Sequence, residues 1–276
     1  KTGHNLDQIA RWIKIAKNQG ASIICFPEMN ITGYSVSADI SDDAVGAGLK
    51  PAPTGYSVSA DISDAAEPVP GPATDKLLNL ASEKNIVILA GMAEKDDKGR
   101  IFANHLIVKP HEDLGVYRKL YIAPPERPIY TPGNKIPLFE TQGVKFGIQL
   151  CYDAHFPELS THMAMNGADI IFMPHASPRG TPDEKFKSWM RHLPARAYDN
   201  SLFVIACNQT GNNKKGLSFP GVSLIIDPSG NIIKKNATGE ESIIVADLKA
   251  DDLSRVRNNR MSFFLPNKRA DLYNSL

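Results

Sequence analysis

The stretch Gly147-Ile148-Gln149-Leu150-Cys151-Tyr152-Asp153 decides how this chain is read. The apolar run from Val144 to Leu150 has the length and composition of a buried strand, and Phe156-Pro157-Glu158 opens a helical pattern just beyond it. Cys151 therefore falls at a strand-to-helix elbow. In α/β sheets, ligands bind at the carboxyl ends of strands, and a side chain on a sharp turn there is held toward a pocket. The adjacent helix start also favours thiolate over thiol. The alternative for Cys151 is a core position, since free cysteine is among the most often buried residue types.

Composition narrows the function classes. The 276 residues are 42% hydrophobic and 22% charged, with a net charge of +1, ordinary values for a soluble globular protein with a sizeable core. The basic residues are scattered, so no footprint for nucleic acid or an acidic membrane surface is visible, and small neutral or zwitterionic partners fit better. Three cysteines without C-x-x-C spacing argue against a disulfide framework or a zinc ribbon and suit a reducing, cytoplasmic compartment. No apolar run approaches the roughly 18 residues of a membrane span, and Lys1-Thr2-Gly3-His4 does not read as a signal or transit peptide.

Outward from the elbow, elements alternate. Leu6, Ile9, Ile13 and Ala16 recur at helical intervals over residues 5–19, with Asn5 placed to cap and Gln8 to reach back. Residues 21–26 form a short apolar strand stopped by Pro27, which leaves Glu28 at its carboxyl end; the alternative for Glu28 is a solvated loop. Gly71-Pro72 starts a helix, residues 85–91 are a buried strand, and Asp96-Asp97-Lys98-Gly99 turns the chain back into 101–108. Lys119 ends a strand-like segment before a stiff, proline-rich loop. After Cys151 come helix 157–166, strand 168–173, helix 183–200, strand 202–207 and a strand pair around Asp227-Pro228-Ser229-Gly230. The pattern predicts one layered α/β domain with Cys25 and Cys207 as core residues, and a polar arm from about 250 to 276 with one apolar cluster, packed on a neighbouring subunit.

Residues 32–42 recur letter for letter as 54–64. Repeated folds match in pattern rather than in letters, so one copy is read as surplus, and without it the region from 29 to 71 becomes a loop of more ordinary length.

Glu28, Lys119 and Cys151 all stand at element ends. Their surroundings, Phe26-Pro27-Glu28-Met29 with Thr32-Gly33-Tyr34, Tyr117-Arg118-Lys119, and Cys151-Tyr152-Asp153 with Phe156-Pro157-Glu158, closely resemble the nitrilase superfamily of carbon–nitrogen hydrolases. The resemblance extends through Gly71-Pro72, Pro132-Gly133, Ala195-Arg196-Ala197 and Arg269-Ala270-Asp271-Leu272-Tyr273. It implies a four-layer αββα sandwich in a single domain, assembled as homodimers or larger oligomers. It also implies a strand ahead of the first helix, and residue 1 already borders that helix.

The chemistry asks for these residue types independently. Hydrolysing an unactivated amide needs a nucleophile better than water, and a cysteine qualifies when a base takes its proton. Glu28 is placed as that base, later protonating the departing amine and activating water, which calls for a raised pKa. Lys119, with the Tyr152 backbone N–H, is placed to bind the oxyanion. By resemblance, Glu126 matches a second glutamate that orients the lysine and the substrate. His175 and Arg179 follow another strand's carboxyl end, where they either bind a substrate carboxylate or serve the loop. Cys151-Tyr152-Asp153 resembles the amidase and carbamoylase branches, which implies a cofactor-free, metal-free hydrolase of linear amides or N-carbamoyl groups that releases ammonia. Two alternatives remain: a nitrilase using the same cysteine, and a catalytically silent binding or scaffold protein on the same fold.

Overall fold

Leu6, Ile9, Ile13 and Ala16 are buried along one side of α1 (Thr2–Asn18). The helix begins before Asn5, whose Nδ2 donates to Ile31 O at 2.9 Å, so that residue ties α1 to the following loop and does not cap it. The structure is a computed structural model and describes residues 2–34, 36–38, 56–58, 61–214 and 216–272.

The chain continues through β1 (Ile23–Cys25), the pair β2 (Val36–Ala38) and β3 (Tyr56–Val58), α2 (Asp61–Ala65) and α3 (Pro72–Lys84). The hairpin β4 (Val87–Lys95) and β5 (Ile101–Val108) follows, with Asp96 Oδ1 accepting from the N–H groups of Lys98 and Arg100 in its turn, and then β6 (Gly115–Arg118). These strands form a sheet in the order β1-β4-β5-β6, with β1 parallel to β4 and the rest antiparallel. The second half gives β7 (Phe139–Thr141), β8 (Val144–Ile148), α4 (Pro157–Met165), β9 (Ile170–His175), α5 (Pro182–Trp189), α6 (Leu193–Asn200) and β10 (Phe203–Asn208). After them come the small pair β11 (Thr210–Asn212) and β12 (Ser218–Pro220), then β13 (Ser223–Ile226), β14 (Ile232–Asn236) and α7 (Ala250–Arg257). The second sheet runs β14-β13-β10-β9-β8-β7.

Strand periodicity explains the layering, because alternate side chains point to opposite faces. Ile86, Ile88, Ala90, Met92, Leu106 and Val108 pack against α1 and α3. Leu89, Ile107 and Tyr117 face the other way and join Phe146, Ile148, Phe172 and Val204 of the second sheet, whose outer face carries Leu159, Met163, Leu193 and Ala197 of α4 and α6. Helix, sheet, sheet, helix is the expected αββα order.

Three expectations are corrected. The helix expected over 183–200 is two helices, because Pro194 removes an N–H donor and biases the preceding residue away from helical backbone. Cys25 and Cys207 are half-buried, lining a cavity of about 830 Å³ between the edge of β1 and residues 240–248. The arm expected on a neighbour docks on its own body: Arg257 pairs with Asp169 at 2.6 Å and donates to Ser201 O and Ala168 O, and Phe264 meets Tyr198 edge-on.

Most of the repeated stretch lies outside the described residues, but its ends are informative. Thr32 of the first copy accepts from Ala93 N at 3.0 Å, and Ile62 of the second is buried in a cluster with Met29, Ala93 and Tyr130. Between them β2 and β3 pair with Val36 opposite Val58, the same letter of the two copies. Directly opposed Cα atoms in an antiparallel pair lie about 5 Å apart, so removing residues 36–57 joins Ser35 to Val58 across a gap that one peptide nearly spans and leaves one intact copy. The expected result of this deletion is an unchanged or slightly higher melting temperature, since a shorter loop costs less closure entropy. A calorimetric scan showing a loss of more than a few degrees would show that the second copy is part of the fold.

Candidate active site

Glu28 sits just past β1, where Pro27 ends the strand. Its turn is drawn against β4: Phe26 N donates to Leu89 O at 2.8 Å, Ile31 N to Gly91 O at 2.9 Å, and Gly91 N to Asn30 Oδ1 at 2.8 Å. Gly91 is needed for this approach, since a Cβ there would stand 2.6 Å from Met29 N. Met29 has φ +60, a strained conformation for a side-chain-bearing residue.

Lys119 follows β6, its N–H donating to Ala103 O at 2.8 Å. Its Nζ donates to Glu28 Oε1 and to Glu126 Oε2, both at 2.8 Å. Glu126 stands in a 3-10 turn (Pro124–Glu126) opened by two prolines, and accepts from Tyr34 OH at 2.9 Å and Ala123 N at 3.2 Å. The other oxygen of Glu28 accepts from Ala176 N at 2.9 Å. All three charged side chains are sealed from solvent, Glu28 and Lys119 at 1% exposure and Glu126 at 4%. An ammonium has three N–H groups; two are committed to carboxyl oxygens and the third is left for a ligand.

Cys151 opens a 3-10 turn (Cys151–His155) beyond β8 and has φ +43. A strained backbone at an element end is found where a fold holds a functional side chain. Asp153 secures the elbow: Oδ2 accepts from Leu150 N at 2.9 Å and Tyr117 OH at 2.7 Å, while Oδ1 accepts from Tyr121 N at 2.8 Å. The Tyr152 N–H is among the first of its turn, where no intrahelical carbonyl reaches.

The electrostatics follow from burial and mutual charge. Burial raises Glu28 to about 7, aided by Glu126 and opposed by Lys119. Burial acts to lower Lys119, but Glu126 and Glu28 outweigh it and hold the ammonium well above its ordinary value. Burial, then the charge of Glu28, pushes the Cys151 thiol up against the pull of Lys119. The expectation of a thiolate favoured by the helix start is therefore corrected: a five-residue 3-10 turn does not offset burial beside a carboxyl group. Such a set can transfer a thiol proton to Glu28 as Sγ attacks, and can offer Lys119 Nζ and Tyr152 N–H to developing negative charge.

Glu28, Lys119, Glu126 and Cys151 thus converge from four parts of the chain. His175 does not join them as a charged group: it is buried, its Nδ1 is 2.8 Å from Met173 O, its ring lies 4.5 Å from Trp189, and burial lowers it to about 3. A neutral imidazole in that setting packs the end of β9 and brings no charge to a carboxylate. Arg179 is half-buried with φ +77, its N–H donating to Ser218 O at 2.9 Å. Sequence reasoning assigned no role to Tyr34, Tyr117 and Asp153. Tyr117 carried a signal, because it lies two residues before Lys119 and so shares its face; the Ala176 N–H and Lys185 carried none.

The carbon-nitrogen hydrolase family model matches residues 1–258. The chain belongs to the carbon-nitrogen hydrolase family. This carbon-nitrogen hydrolase is 30% identical to a probable nitrilase of Schizosaccharomyces pombe over 99% of its own length and 92% of the relative's. It is 28% identical to an omega-amidase of Mus musculus, over 98% and 91% of the two chains. A solved carbon-nitrogen hydrolase of Helicobacter pylori G27 shares the fold with TM-score 0.82 at 23% identity, covering 100% of this chain and 93% of that one.

Asp153 offers a test of the elbow. Asp153→Asn replaces one acceptor oxygen with a donor, which sets an NH2 against the Tyr121 N–H or against the Leu150 N–H and Tyr117 hydroxyl. An orphaned buried donor costs about 1–3 kcal/mol, so the melting temperature should fall by several degrees, with turnover reduced at least roughly tenfold. Unchanged stability and turnover would remove Asp153 from the support of Cys151.

Proposed function

We propose that this carbon-nitrogen hydrolase cleaves linear amides, including N-carbamoyl groups, through a thioester on Cys151 with release of ammonia. The observation that carries the reading is one buried ammonium shared by two carboxyl groups within the field of a strained cysteine. Sγ attacks the carbonyl carbon as its proton passes to Glu28, and the C=O electron pair moves onto oxygen. Lys119 Nζ and the Tyr152 N–H receive that oxyanion, each donor worth roughly 3–4 kcal/mol. The tetrahedral species collapses to a thioester, Glu28 returns the proton to the leaving nitrogen, and ammonia departs. Glu28 then takes a proton from water, which attacks the thioester and frees the acid and the thiol. Glu126 holds the ammonium in place, with Tyr34 holding Glu126.

The four-residue set disfavours a silent scaffold, because a buried cation between two acids is an expensive arrangement for packing alone. The half-exposed apolar residues Met165, Tyr198, Met261 and Phe264 support a homodimer or larger assembly. Three free cysteines support a reducing compartment. Among the described residues no helix is long and apolar enough to cross a membrane.

Ammonia release from matched amide, carbamoyl and nitrile panels tests the reaction. Amides or carbamoyl compounds should lead, Cys151→Ala should lose turnover, and the intact mass of rapidly quenched enzyme should show an acyl adduct. A preference for nitriles, or full activity in Cys151→Ala, contradicts the reading. The free-enzyme base must be deprotonated, so with Glu28 raised to about 7, kcat/KM should fall as pH drops below about 7 and level off above it. A profile flat from pH 5 to 8 would remove Glu28 as the base.

A further inference from the structure

Lys185 on α5 is a half-buried ammonium that the reaction scheme leaves unused. Its Nζ donates to Ser177 Oγ at 2.7 Å and reaches Pro178 O at 3.5 Å. Ser177 directly follows Ala176, whose N–H holds Glu28, and both backbone groups of Ser177 are fixed by Asn208, at 2.9 and 3.0 Å. Lys185 is thereby pinned to the same short loop that orients the candidate base.

No counter-ion accompanies it. Among the described residues no carboxylate pairs with Lys185, and the acids beside it on α5 are engaged elsewhere: Asp183 with Lys187 at 2.6 Å, and Glu184 with the Thr181 N–H at 2.8 Å. Burial lowers Lys185 below the ordinary lysine value, with Cys151 acting to raise it and Arg179 to lower it. His155 and His175 in turn are lowered in part by Lys185. The groups acting on this ammonium are thus a thiol, a guanidinium and imidazoles. Holding an unpaired cation partly out of water is costly unless an anion arrives to share the site.

We propose that Lys185 binds a carboxylate carried on the acyl portion of the substrate, so that the enzyme selects monoamides of dicarboxylic acids over neutral amides. This rests on the amide-hydrolysis reading above and names the substrate class. Burial of Glu28 and Glu126 behind Lys119 assigns the inner charge to the reacting carbonyl, and Lys185 supplies a separate cation on the Cys151 side for the distal charge. The competing role is a clamp that merely shapes the loop through Ser177.

Lys185→Met and Lys185→Arg are compared with the parent on malonamate, succinamate and glutaramate, with butyramide as the neutral control. Relative to butyramide, the parent's best monoamide should lose at least roughly tenfold in kcat/KM in Lys185→Met, mostly through KM, with Lys185→Arg restoring most of it. Equal losses on charged and neutral substrates, the clamp outcome, overturn the proposal, as does undiminished monoamide turnover in Lys185→Met. Calorimetric binding of the same monoamides to Cys151→Ala, with and without Lys185→Met, separates this inference from the reaction itself. Absent turnover by the parent defeats amide hydrolysis, whereas Lys185 as an anchor requires Lys185→Met to weaken that binding at least roughly tenfold. Equal binding with and without the substitution, or none to Cys151→Ala, overturns it.

Discussion

One ammonium, sealed from water between two carboxyl groups, is the interaction on which the rest depends. Lys119 cannot be buried alone, because an unpaired charge in the interior costs several kcal/mol or more. Glu28 and Glu126 make it tolerable, each 2.8 Å from Nζ. The reverse dependence has the chemical consequence. Two carboxyl groups facing one cation leave an excess of negative charge, and burial turns that excess into proton affinity at Glu28, which is raised to about 7. A glutamate that can both take and return a proton near neutrality is a product of that charge imbalance.

The sandwich brings the three together. Glu28 and Lys119 belong to the first sheet, which ends in β1 on one side and β6 on the other, while Cys151 ends a strand of the second. The sheets meet through Leu89, Ile107, Tyr117, Phe146 and Phe172, so their separation is fixed by core packing. Tyr117 links the layers directly, its ring in that core and its hydroxyl on Asp153 beside the nucleophile. Strain is concentrated at the same place, at Met29 and at Cys151. A backbone forced into left-handed conformation on both sides of a cleft is held there by the surrounding sheet hydrogen bonds.

Much of this was legible in the sequence because element ends are punctuated. Pro27 after an apolar run placed Glu28, the proline-rich loop placed Lys119, and the run closed by Cys151 placed the nucleophile. Side-chain state was not legible. The position of Cys151 at a turn suggested a thiolate, and only the depth of the site and the nearness of Glu28 reverse that. His175 looked like a ligand because it ends a strand, but the deciding fact was long-range contact with Trp189. Lys185 had no local signal at all, since its significance lies in the missing counter-ion. The broken helix at Pro194 and the half-buried Cys25 and Cys207 were misread for a similar reason: local pattern does not report which neighbour, or which space, lies opposite.

The central claim is that Glu28 titrates near neutrality because it shares Lys119 with Glu126. Difference infrared titration of the parent against Glu28→Gln reads this directly through the protonated carboxyl C=O stretch. The account predicts that this band grows in as pH falls through about 7. A Glu28 that stays ionised down to about pH 5, as an unperturbed glutamate does, would contradict it.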